Sequence, residues 1–237
     1  DPCLYLDYLA DRLGPRGVYA NEYSRMSFAQ KNSFRILPCT IAEPFSSAPP
    51  VVEFLSPVAC YTDAKVGIMG VPIINVKLGS SAKRYGQAFQ CEDEPDSSVL
   101  LRQLMRMVDK AKQIQRSGRQ DSGMNDSILA SFAAAFLYLS HRSSDFDSAQ
   151  LTAIRGQPFI PCGVNGNVVW VKQEHVFFRK DKDNESGDSL TAELFQMVEF
   201  SPFLAAVGVK QEASTSDLFQ LMLASPQTVL EALGSEK

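Results

Sequence analysis

The chain has 237 residues, 45% of them apolar and 21% charged, with a net charge of −4 and a pI of about 5.3. These values exclude wholesale disorder, and without a basic excess they argue against a dedicated nucleic-acid binder. No apolar run approaches the roughly 20 residues of a helical membrane span, and the length suits one large domain or two small ones.

The first residues, Asp1-Pro2-Cys3, carry no basic-then-apolar leader, and the apolar pattern is already running at Leu4, Leu6, Tyr8 and Leu9. This reads as a piece of a longer intracellular polypeptide, cytoplasmic or nuclear. Residues 4–13 predict a helix stopped by Gly14-Pro15. Residues 34–39 form a compact apolar run, and Val51 to Leu55 predict a strand after the Ala48-Pro49-Pro50 break. Residues 66–78 suit a bent strand or loop. A helix is expected from Pro95-Asp96-Ser97 to Arg116, with Leu100, Leu101, Leu104, Met105, Val108 and Ala111 at helical spacing.

Ser117 to Asn125 is polar, contains Gly118 and Gly123, and reads as a linker. A second helix, capped by Asp126 or Ser127, carries Ile128, Leu129, Phe132, Ala133, Phe136, Leu137 and Leu139 on a broad apolar face. Then comes a hairpin: Phe159 to Cys162, the pair Asn165-Gly166, and Val168 to Val171. Asn-Gly between apolar runs is a type I′ signal, because both residues tolerate positive φ. Val176 to Phe178 reads as a short strand, Lys180 to Asp188 as a charged loop, and 190–199 and 202–207 as helices. Ser214-x-x-Asp217 resembles a capping box. The helix it opens restarts at Ser225-Pro226 and ends at Gly234.

The order of these elements occurs twice. Ile36-Leu37-Pro38-Cys39 matches Phe159-Ile160-Pro161-Cys162, with a helix before each and a strand pair after. Glu94 to Leu101 parallels Glu212 to Phe219. The fold expected is α+β: a first module at 1–116, a linker at 117–126 and a second module at 127–237. Each module has helices packed on a small antiparallel hairpin or sheet. Residues that recur in both modules, such as Pro38 with Pro161 and Cys39 with Cys162, are expected to serve packing.

Sequence motifs for catalysis are missing. The cysteines (Cys3, Cys39, Cys60, Cys91, Cys162) are odd in number, widely spaced and contain no C-x-x-C, so buried free thiols are expected. The two histidines, His141 at a helix end and His175 in an apparent strand, lie in no nucleophile motif. Gly79 to Gly86 has its lysine misplaced for a phosphate loop and reads as a surface loop. Glu92, Asp93, Glu94 and Asp96 favour a helix N-terminus. Asn125-Asp126-Ser127 and Asn184-Glu185-Ser186 match glycosylation sequons, which are common by chance. No catalytic, cofactor or metal residue is assigned. Arg102, Arg106 and Lys110 form a basic stripe that could meet a polyanion, against a plain solvated face. Val168, Trp170, Val176, Phe177 and Phe178 are candidates for an apolar face toward a protein partner or neighbouring modules, against plain core.

Several short words carry a family resemblance. They are Leu6-Asp7-Tyr8-Leu9 with Phe34-x-x-Leu37-Pro38, and Phe136-Leu137-Tyr138-Leu139 with Ser144-Asp145-Phe146 and Pro158-Phe159-Ile160-Pro161. The most specific is Phe203-Leu204-x-x-x-Gly208-Val209-Lys210-x-Glu212-x-Ser214, with Ala213 where the family has Pro. These resemble the repeated downstream region of large sacsin- and NO VEIN-like proteins, fungal relatives especially. The resemblance implies a parent with a gyrase, heat-shock-chaperone and histidine-kinase type ATPase domain upstream. None of that domain's ATP-binding motifs occurs here. The expected role is therefore a non-catalytic scaffold or client-binding segment of a chaperone-like ATPase. A nucleic-acid module and a cysteine enzyme are the alternatives.

Overall fold

The computed structural model describes residues 2–46, 48–74, 81–117, 122–179, 194–227 and 229. The chain divides into two compact units, Asp1–Ile114 and Gln115–Lys237. It is an α+β protein.

In the first unit, helices α1 (Pro2–Leu13), α2 (Ala20–Arg25) and α3 (Phe28–Ser33) precede strands β1 (Leu37–Ile41) and β2 (Val51–Leu55). Two 3-10 turns, Pro57–Ala59 and Ala64–Met69, lead to the short β3 (Ile73–Ile74), then α4 (Ser81–Phe89) and α5 (Ser97–Arg116). β1 is central, with β2 and β3 antiparallel on either side. α1 buries Leu6 and Ala10, four residues apart, against Tyr85, Ala88 and Phe89 of α4. The Tyr23 hydroxyl donates to the Phe89 carbonyl at 2.8 Å, so this aromatic enters the core with its polar end satisfied. In α5, Leu100, Leu101, Leu104, Met107, Val108 and Ala111 make the buried stripe.

The second unit opens with α6 (Ser122–His141), which begins inside the polar stretch read as linker. It starts one turn earlier than the Asp126 or Ser127 cap expected from sequence. A 3-10 turn (Ser143–Asp145), α7 (Ser148–Ile154), β4 (Ile160–Val164) and β5 (Asn167–Val171) follow. β4 and β5 pair antiparallel across Asn165 (φ 50) and Gly166 (φ 77), the two positive values a type I′ turn requires. After the 3-10 turn Gln173–His175 come β6 (Val176–Phe178), β7 (Gln196–Val198), α8 (Pro202–Val207) and α9 (Thr215–Ala224). The helix expected over 190–199 is corrected here: 196–198 is a strand, because Gln196, Met197 and Val198 pair in parallel with Val176, Phe177 and Phe178. That pairing also departs from the purely antiparallel expectation. The 180–188 loop and Gly234 lie outside the described residues.

The two units repeat one plan. Pro38 and Cys39 lie in β1 opposite Phe54 and Glu53, while Pro161 and Cys162 lie in β4 opposite Trp170 and Val169. Before each strand stands a short helix opened by a reciprocal capping box, Ser27 with Gln30 and Asp147 with Gln150. After each hairpin, Tyr61 bridges Ile73 and Glu92 in parallel, and Phe177 pairs in parallel with Met197 and Lys210. Asp96 caps α5 through the Val99 amide, and Ser214 caps α9 through the Asp217 amide.

Candidate functional site

Four of the five residues offered as a partner-binding face are interior. Val168, Val176, Phe177 and Phe178 are buried, so they form core and present no free face. Trp170 is half-buried. Its indole N–H donates to Gln115 Oε1 at 2.6 Å, and its ring meets Phe132 edge-to-face at 5.2 Å. Three consecutive apolar residues in β6 face inward on all sides, which sequence alone reads equally well as a sticky patch. Phe177 packs on Phe195 at 4.7 Å and Phe178 on Phe200 at 5.0 Å.

The second unit instead opens an apolar groove of about 400 Å³ between α6, β4, the end of β7 and the start of α8. Leu129, Phe136 and Leu137 supply one wall, and Val198, Phe200 and Leu204 the other. Leu137 is 62% exposed and Phe200 58%, large for side chains with so much apolar area. The floor is tied down from below. Phe136 stacks on Phe203 at 6.1 Å and meets Phe159 at 6.2 Å. The Ser140 hydroxyl donates to the Phe136 carbonyl, contacts the Ser201 hydroxyl at 2.8 Å and accepts from the Phe203 amide. Burial pushes the Cys162 thiol in this groove up to about 11, so it stays protonated and apolar at neutral pH. An exposed ion pair, Arg179 with Glu199 at 3.1 Å, marks the polar rim. Leu137 belongs to the broad face read from sequence, but Phe200 was not offered as a site residue: its exposure depends on where β7 ends.

The basic stripe of α5 is interrupted by acids. Arg102 and Arg106 are exposed, whereas Lys110 is half-buried and paired with Glu43 at 3.1 Å. Asp96 is held below the usual carboxylate range by hydrogen bonds from the Ser98 hydroxyl and the Val99 amide, with the Arg102 charge adding to them. Arg106 and Lys110 border a shallow cavity of about 190 Å³ with Glu43, Pro44, Gly70 and Gln103. Its lining mixes charge signs rather than concentrating positive potential.

The remaining motifs have local roles. Asp96 caps α5, and Asp93 accepts from the Thr62 hydroxyl. Residues 81–86, read as a surface loop, lie in α4. His141 ends α6 on the exposed side, and His175 sits in a 3-10 turn, not a strand, 3.5 Å from Glu174. Asn125 is buried with its amide donating to the Gly166 carbonyl at 2.8 Å, which leaves no room for a glycan in the folded chain. Asn184 lies outside the described residues.

Among the described residues, no helix is long and apolar enough to cross a membrane. Residues 15–237 match a protein family described as a protein of unknown function, DUF3684. Neither the curated proteins nor the solved structures contain a match.

Proposed function

The chain belongs to the DUF3684 family, and from that premise we propose that it is a non-catalytic client- or partner-binding segment of a large sacsin- and NO VEIN-like protein with a chaperone-type ATPase. The observation that carries this reading is the open groove of the second unit, with Leu137 and Phe200 exposed at its walls. Its volume lies within the range of ordinary ligand pockets, and its walls are apolar with little polar guidance. Such a site favours an apolar segment of polypeptide over a small polar substrate, because it offers area and few directed hydrogen bonds. A neighbouring module of the same parent is the competing occupant. In this reading the protein works in the cytoplasm or nucleus.

The test is fluorescence anisotropy with a labelled amphipathic helical peptide. Leu137→Asp and Phe200→Asp place a charge on each wall at sites already exposed, so folding is retained. Binding that weakens on the order of tenfold in each variant supports the groove as the site, since desolvating one unpaired carboxylate costs at least about 1–3 kcal/mol. A peptide that does not bind, or binds both variants as well as the parent protein, refutes it. The parent architecture is tested separately: an open reading frame without an upstream ATPase domain overturns that part.

A further inference from the structure

The core of the first unit contains a chain of three thiols. Cys39 lies in β1, Cys60 follows the 3-10 turn Pro57–Ala59, and Cys91 follows α4. All three belong to one packed cluster with Leu6, Tyr23 and Phe89. The parallel bridge between Tyr61 and Glu92 sets the residues before them, Cys60 and Cys91, side by side on neighbouring extended segments. Adjacent strands lie about 4.7–4.9 Å apart, inside the roughly 4.4–6.8 Å span between Cα atoms of a disulfide. The Cys39 thiol donates to the Leu37 carbonyl at 3.4 Å and the Cys60 thiol to the Pro57 carbonyl at 3.9 Å. Cys39 and Cys60 are buried, while Cys91 is partly exposed.

The repeat supplies an internal comparison. The same bridge in the second unit joins Phe177 and Lys210, and the residues before them are Val176 and Val209, both buried. The amide of Cys91 donates to Gly86, as that of Val209 donates to Leu204. Two valines therefore satisfy packing at this facing pair. The first unit carries thiols at both positions together, whereas Cys39 keeps its counterpart in Cys162.

We propose that Cys60 and Cys91 form a dithiol modification site, oxidised by hydrogen peroxide to an intramolecular disulfide. The Cys91 sulfur, as thiolate, attacks one peroxide oxygen. An S–O bond forms, the O–O bond breaks, and the departing hydroxide takes the proton released by Cys91 and leaves as water. The Cys60 sulfur then attacks the Cys91 sulfur. The S–S bond forms, the S–O bond breaks, and the hydroxide leaves as a second water with the Cys60 proton. Two thiols lose two electrons, and the peroxide gains them. Cys91 is the partly exposed thiol of the pair, so peroxide reaches it first, and the buried Cys60, whose ionisation burial disfavours, reacts second.

A Cys3→Ser variant, retaining the other four cysteines, is exposed folded to hydrogen peroxide, alkylated and mapped by mass spectrometry. The expected product is a Cys60–Cys91 disulfide, two hydrogens lighter and restored by dithiothreitol, with Cys39 and Cys162 still thiols. In Cys60→Val, which installs the second unit's residue and keeps the packing, Cys91 stops at the sulfenic acid and gives on the order of tenfold more dimedone adduct. The proposal fails if the folded protein resists oxidation. It fails equally if Cys91 goes to sulfinic acid beside a free Cys60, or if the disulfide forms as readily in urea as in the native state.

Discussion

Gln90 and Gly208 hold the same left-handed position in two copies of one plan. Gln90 (φ 56) follows α4 and Gly208 (φ 112) follows α8, each just before the residues that form the parallel bridge. The left-handed conformation costs an L-residue about 1–2 kcal/mol and glycine almost nothing. Gln90 offsets that strain with its side chain, which accepts from Lys31 at 2.7 Å and donates to Ser24 at 2.8 Å. A Cβ at Gly208 would meet nothing closer than 3.9 Å, so its cost is conformational alone. Gly208→Ala should destabilise by about 1–2 kcal/mol. Gln90→Gly should change little, because relief of strain and loss of two exposed hydrogen bonds oppose each other. Urea unfolding of the two variants checks the asymmetry.

Trp170 is the sole tryptophan, so its fluorescence reports one site. Its N–H bond to Gln115, whose own amide donates to the Val168 carbonyl at 2.9 Å, bridges side chain and hairpin. Gln115→Leu should leave both groups without that partner, shift the emission to the red as water reaches the indole, and cost about 1–3 kcal/mol. An unshifted spectrum would show that the bond is absent in solution.

Phe177 separates core from docking face. It is 0% exposed and packed on Phe195. Phe177→Ala should cost about 3–5 kcal/mol, the usual range for a buried phenylalanine. Thermal and denaturant unfolding measure this directly; a loss below about 1 kcal/mol would return the residue to the surface.

Asp217 gives the second unit a measurable acid sensitivity. Partial burial opposes its ionisation, but hydrogen bonds from Lys210 and Ser214 outweigh that and hold its pKa at about 2, against 3.8 ordinarily. A carboxyl depressed on folding contributes stability that is complete above its unfolded value and is lost as pH falls toward the folded one. The contribution should therefore disappear between about pH 4 and pH 2. Asp217→Asn should show a shallower fall of melting temperature across that window than the parent protein.

The α5 stripe makes a contrasting prediction. If it bound phosphates, Arg102→Glu, Arg106→Glu and Lys110→Glu together would abolish nucleic-acid retention at low salt. The acids beside Arg102 and Lys110 favour the solvated-face reading. Filter binding with single-stranded DNA should show no difference between the parent protein and the triple variant.

Legibility in the sequence followed the range of the forces involved. The Asn165-Gly166 turn was readable because two residues suffice to set its φ values. α5 was readable because its apolar stripe repeats over about three turns, from Leu100 to Ala111. Gln196 to Val198 was misread as helix because its strand character comes from a partner twenty positions earlier, at Val176 to Phe178. The groove was half visible: Leu137 stood on a face broader than one contact surface needs, but Phe200 has no distinguishing local pattern.

From sequence alone, the protein's duplication was determined, because Pro38-Cys39 and Pro161-Cys162 recur with the same neighbours, and so was its α+β character, because both periodicities are present. The tertiary structure decided which apolar residues are enclosed. Val176, Phe177 and Phe178 are covered by β7 and the residues beside it, while Leu137 and Phe200 are left open. Hydrophobicity belongs to a side chain, but burial belongs to whatever the fold sets against it, and those neighbours are distant in the chain.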